Sequence, residues 1–129
     1  MDKTEKVNLF EGKFSSPSAD AWKTGNRVAD SFVPQWKTEQ YSVFYFDSDK
    51  WYDPLSKAIS CDWNGALDAW LSLLDSKDML KRSCAEYNIA VACYMLGDYE
   101  LASEWLDRSD KDNRLPLSDA LRKRIDARR

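Results

Sequence analysis

The chain has 129 residues, 43% apolar and 32% charged, with six Trp, six Tyr and five Phe and a net charge of −3: one domain's length, with apolar residues for a core and charge for a wetted surface. It contains no histidine, which excludes Ser-His-Asp and Cys-His nucleophiles, HExxH sites and every His-ligated metal. Cys61, Cys84 and Cys93 form no CxxC pair, which argues against a disulfide framework or a zinc set, and no apolar run nears the roughly 18–20 residues that span a bilayer.

Residues 1–17 are polar and run into the Ser/Pro cluster Phe14-Ser15-Ser16-Pro17-Ser18, which predicts a loop with a poorly ordered start. No apolar segment follows Met1–Lys6, so no secretory signal is expected. Trp22, Gly25, Val28, Ala29, Phe32 and Val33 recur at helical spacing, capped by Ser18 or Asp20 and ended by Pro34. The aromatic and β-branched run 41–46 then predicts a strand. Its backbone needs a partner from residues 5–14, from another chain, or from a further part of the protein.

Helices follow. Asp53-Pro54 suits a helix start, as does a cap one turn earlier at Ser48 or Asp49; Leu55, Ala58 and Ile59 form the stripe. The next helix follows Asp62 and would bury Trp63, Ala66, Leu67, Trp70, Leu73 and Leu74, before a turn at Ser76-Lys77-Asp78. A longer helix from Leu80 to Met95 is apolar on more than one face, which predicts neighbours on both sides; Cys84 and Cys93 fall inside it as buried thiols. Gly97 fits the left-handed position that closes it, and Asp98 caps a helix with Tyr99, Leu101, Ala102, Trp105 and Leu106 inward. Pro116 and Ser118 open a last amphipathic helix bearing Leu117, Ala120, Leu121 and Ile125. Residues 111–129 carry seven Lys/Arg against three Asp, cations that suit a helix C-terminus better than they announce a phosphate partner.

Two of these segments repeat one pattern. Cys61-Asp62-Trp63-Asn64-Gly65-Ala66 and Gly97-Asp98-Tyr99-Glu100-Leu101-Ala102 each set Asp before an aromatic and Ala three residues beyond it, thirty-six residues apart. A period in the mid-thirties is that of stacked helical hairpins. Residues 83–109 resemble a tetratricopeptide repeat through Ala85, Tyr87-Asn88-Ile89-Ala90, Tyr94, Gly97-Asp98-Tyr99 and Ala102, departing from it at Ala90, Ser109 and the displaced Pro116. Residues 50–74 resemble a more divergent copy. A wider resemblance, carried by Ala29-Asp30-Ser31-Phe32-Val33-Pro34-Gln35-Trp36, Asp62-Trp63-Asn64-Gly65-Ala66, Tyr87–Ala92 and Gly97–Trp105, is to the C-terminal half of uncharacterised lipoproteins of gut anaerobes. It implies an envelope location and no activity, and the lipidated Cys of such proteins is not found near this start.

The expected fold is therefore mainly α: tetratricopeptide-like antiparallel hairpins in an α-α superhelix, with a capping helix and one short N-terminal β segment. The expected organisation is a polar segment over 1–17 and one helical-repeat domain over 18–129, comprising helix plus strand over 18–49, two hairpins over 50–110 and a capping helix over 116–127.

The candidate binding groove is Tyr87, Val91, Tyr94 and Met95 on the long helix, able to take an apolar peptide or to be covered by packing. Trp36 and Trp51 are candidate exposed aromatic contacts, while Trp63, Trp70 and Trp105 fall at core spacings. Asp47-Ser48-Asp49 with Asp53 lacks the Gly and Glu of an EF-hand, and no Gly-rich phosphate loop exists. The expected function is a non-enzymatic helical-repeat module for protein–protein interaction or assembly, with a protein or peptide partner, self-association as one form of it, and no nucleic acid, cofactor or metal. The alternative is a ligand-binding or structural domain of an envelope lipoprotein that uses exposed aromatics.

Overall fold

The computed structural model describes residues 7–17 and 36–129. These are mainly helical, with a two-stranded sheet before the helices. The chain divides into two compact units: residues 11–41 form one, and the described residues up to Phe10 together with residues 42–129 form the other. The helix expected over 18–33 lies outside the described residues.

Strand β1 spans Asn8–Pro17 and pairs with β2, Trp36–Tyr45. The single expected β segment is thus two, and the loop expected at the Ser/Pro cluster is strand as far as Pro17. The reason is the backbone: the β2 ladder needs a partner, and Asn8–Pro17, which overlaps the 5–14 region considered for it, supplies one. Burial along β1 alternates, with Val7, Leu9, Glu11 and Lys13 exposed and Asn8, Phe10 and Gly12 half-buried, the period of a half-covered strand. The end of β2 and the residue after it bury Val43, Phe44 and Phe46.

Helix α1 spans Asp49–Ile59, α2 Trp63–Leu71, α3 Met79–Met95, α4 Tyr99–Asp112 and α5 Ser118–Arg128. Of the two starts considered for α1, the earlier holds: Ser48 is its N-cap and Pro54 lies inside the helix, buried, together with Trp51, Leu55 and Ala58. Each helix packs on the next in sequence, and α3 also touches α5. Helix α2 buries Trp63, Ala66 and Trp70 and stops at Leu71, leaving Leu67, Leu73 and Leu74 half-buried. Helix α5 turns Leu121 and Ile125 inward, but Ala120 is exposed and Leu115, just before the helix, is buried in its stead.

The core centres on α3, where every residue from Ser83 to Tyr94 is buried. No one face accounts for such a run; α2, α4 and α5 all contact this helix. The α3–α4 crossing is close because Ser83 and Ser109, both fully buried, face each other. Ser83 Oγ donates to the Ser109 carbonyl at 3.0 Å and Ser109 Oγ to the Ser83 carbonyl at 2.9 Å. Among the described residues no helix is long and apolar enough to cross a membrane.

Candidate functional site on helix α3

Asp78 starts α3 by accepting from the Leu80 N–H at 2.9 Å, and three turns later the helix presents Asn88, fully buried. Its Oδ1 accepts from the Phe44 N–H at 2.8 Å and its Nδ2 donates to the Phe44 carbonyl at 2.7 Å. The N–H and C=O of a strand residue point to the same edge, so one carboxamide can replace a neighbouring strand at one residue. Beside it the Phe44 ring meets Tyr87 edge-on, centroids 5.1 Å apart at 70°. Burial pushes the Tyr87 hydroxyl up to about 12.

The four groove residues are brought to one helix, yet they do not form an open groove. Tyr87 is 3% exposed, Val91 2% and Tyr94 5%, and only Met95 is half-buried. The end of β2 covers the Tyr87 end. At the other end Tyr94 packs edge-on against Tyr99 at 5.5 Å, with the Arg124 and Arg128 guanidiniums 4.9 and 5.9 Å from its ring. A short helical stack has too little interior to leave three such side chains wet.

Trp51 is a correction. It is 4% exposed, with its ring 4.9 Å from Phe46, because the earlier start of α1 turns it inward. Trp36 lies in β2, and its side chain is outside the described residues. Trp63 and Trp70 are buried, whereas Trp105 is half-buried under the Arg108 guanidinium at 4.6 Å.

An open cleft of about 820 Å³ lies where α1 begins and α2 ends, lined by Ser48, Trp51, Asp53, Ser72, Asp75 and Lys81 among others. Its charges are of both signs, and Asp53 is paired with Lys57 at 3.2 Å. Among the described residues no three His, Cys, Asp or Glu side chains cluster to hold a metal ion. Cys84 and Cys93 are buried, and desolvation raises their thiols to about 12 and about 11, which leaves little thiolate for chemistry. The basic C-terminal end is engaged in ion pairs: Arg122 with Asp107 and Asp110 at 2.9 and 2.8 Å, Arg129 with Glu100 and Asp126 at 3.4 and 3.3 Å, and Arg114 with Asp119.

Sequence reasoning placed Asn88 only as one position of a repeat pattern. The signal for its role was present. A carboxamide among the apolar residues of a helix read as sandwiched must find partners, and the unpaired backbone in prospect was the strand at 41–46.

Residues 56–126 match the model of a family described as Domain of unknown function (DUF6340), more than half of the chain, and the chain belongs to that family. No curated protein and no solved structure matches it.

Proposed function

We propose that this DUF6340 chain is a non-enzymatic, tetratricopeptide-like helical-repeat module for protein–protein interaction or assembly, and that α3 is its strand-receiving face. One observation carries the proposal: the Asn88 carboxamide takes both backbone groups of Phe44, a contact that reads extended main chain whatever its side chains. The Phe44–Tyr87 ring contact beside it adds selection for an aromatic residue at that register. The two helical joints thirty-six residues apart support the repeat architecture. In the native chain the face is filled by its own β2, so a strand arriving in trans must compete with it.

Two measurements test this. The isotope-labelled full chain is titrated with a synthetic peptide of residues 39–47; shifts of the Asn88 side-chain amide signals are expected, and unchanged signals at millimolar peptide would sink the trans role. Light scattering behind size exclusion is expected to show a mass that rises with concentration. A monomer at high micromolar concentration with full helicity would remove the assembly role.

A second reading is a ligand-binding or structural domain of an envelope lipoprotein, favoured by the cleft beside Trp51. Of its two candidate aromatic contacts, Trp51 is buried and the Trp36 side chain lies outside the described residues. Iodide quenching that reaches no Trp would count against it.

A further inference from the structure

The α3–α4 contact holds a group for which seating a strand gives no reason. Glu86, on α3, is 6% exposed, and its Oε1 has no hydrogen-bond partner among the described residues. A carboxylate so placed would be costly, whereas a neutral acid is tolerable. Glu86 shares a face of α3 with Arg82, one turn before it, and Asp112, in the last turn of α4, lies across that face. Asp112 is in turn gripped by Arg82, whose Nε reaches Oδ2 at 3.0 Å and whose Nη2 reaches Oδ1 at 3.2 Å. That fork holds Asp112 as the carboxylate. Two carboxyl groups in contact resist ionising together, so the proton of the pair belongs to Glu86. The charged groups acting on Glu86 are Arg82 from its own helix and Asp112 and Arg108 from α4.

We propose that Glu86, Asp112 and Arg82 form a pH-sensitive latch between α3 and α4, closed by a proton that Glu86 donates to Asp112 and released when that proton leaves. The latch holds the last turn of α4 on the first turns of α3, next to the Ser83–Ser109 crossing. Burial foremost, then the Asp112 hydrogen bond and charge, raise Glu86 from an ordinary 4.5 to about 8, against the opposing pull of Arg82 and Arg108. The same bond, followed by Arg82, holds Asp112 below its ordinary value.

The native state therefore keeps a proton that the unfolded chain loses at lower pH. The stability contributed by Glu86 is fully present below 4.5, declines as pH rises towards about 8, and stays lost above it. Asp112 has the opposite sign: its contribution is present above its ordinary value and disappears in acid. The pair is strongest in mildly acidic solution.

Thermal unfolding of the full chain and of Glu86→Gln between about pH 5 and about pH 9 tests the latch. Gln keeps the shape and still offers Asp112 a donor, but cannot ionise. The wild-type midpoint is expected to fall relative to the variant as pH rises; curves that stay parallel would overturn the proposal. Should the variant not fold, the carboxyl carbon of Glu86 in the wild-type chain decides by NMR. A titration midpoint near 8 supports the latch and one near 4.5 overturns it.

Discussion

The joint between α1 and α2 and the joint between α3 and α4 are the same device built twice, yet the helices they connect bear unequal loads. At the first, the Cys61 N–H bonds to Ala58 O at 2.9 Å and the Asp62 N–H to Lys57 O at 2.8 Å; at the second, Gly97 bonds to Tyr94 O at 3.1 Å and Asp98 to Cys93 O at 2.9 Å. Both are Schellman closures. The residue that ends each closure then caps the next helix: Asp62 accepts from the Gly65 N–H at 3.0 Å, Asp98 from the Leu101 N–H at 3.2 Å. Ala66 and Ala102, four residues beyond each cap, are both fully buried. Beyond the joints the likeness fades. Helix α1 buries four residues and α3 twelve in succession. Asn88, fully buried on Phe44, stands where the first pair has Tyr52, which is 43% exposed and donates to Asp47 at 2.6 Å. A joint is local chemistry that a short motif can write twice, while the load on a helix is decided by what lies on both sides of it.

The sharpest way to break the comparison is at that unequal pair. Asn88→Ala would leave the Phe44 N–H and C=O buried without partners. At about 1–3 kcal/mol for each unsatisfied group, the loss is roughly 2–6 kcal/mol, read from urea unfolding. Tyr52→Phe, at the matching position in α1, is expected to leave the urea midpoint within error. Equal effects at the two positions would mean that the helices share their load after all.

The same contrast explains which parts of the fold were legible. The joints could be read because their signals are contiguous: Gly97 at φ +88°, the capping Asp residues and the aromatic-x-x-Ala spacing lie within a few residues. The inside of α3 could be read as sandwiched, since apolar residues occupied more than one face. What failed depended on distant partners. The strand character of Phe14–Pro17 rests on pairing with β2, and the Ser/Pro cluster gave no local sign of it. Trp51 was misplaced because the helix begins at Asp49, with Pro54 kept inside it, and the burial of Trp51, Pro54 and Leu55 together outweighs the helix break that Pro favours. The groove residues lie along α3, but what covers them comes from β2 and α5, each remote in sequence.

The two closures also differ in the residue at their left-handed position, and this predicts effects of opposite sign. Gly97 has φ +88°, and a Cβ there would meet no atom within 4 Å, so any cost of Gly97→Ala is that of the backbone conformation alone. A left-handed L-residue costs about 1–2 kcal/mol, which sets the expected loss. Cys61, at φ +63°, bears that cost already. Cys61→Gly is therefore expected to stabilise, by about 0.5–1 kcal/mol once the greater freedom of Gly in the unfolded chain is deducted. Cys61 is exposed, so little packing is lost. Thermal midpoints moving in the same direction for the two variants would show that the closures are not equivalent.

The smallest expected effect gives the finest comparison of the two caps. A Cβ on Gly65 would fall 2.4 Å from Asp62 Oδ2 and 2.9 Å from its Cγ, so the capping side chain must shift. Leu101 fills the matching position in α4 and carries a Cβ, and there the cap survives at 3.2 Å instead of 3.0 Å. The second joint thus shows how far the first has to yield, and the yield is small. Gly65→Ala gains up to about 1 kcal/mol of helix propensity and strains a cap worth about 1 kcal/mol. Because the strained cap keeps its bond, the two nearly cancel, and the unfolding free energy is expected to stay within about 0.5 kcal/mol of wild type. A loss as large as that of Asp62→Ala would mean that the cap is abolished, and that the first joint depends on a glycine which the second does without.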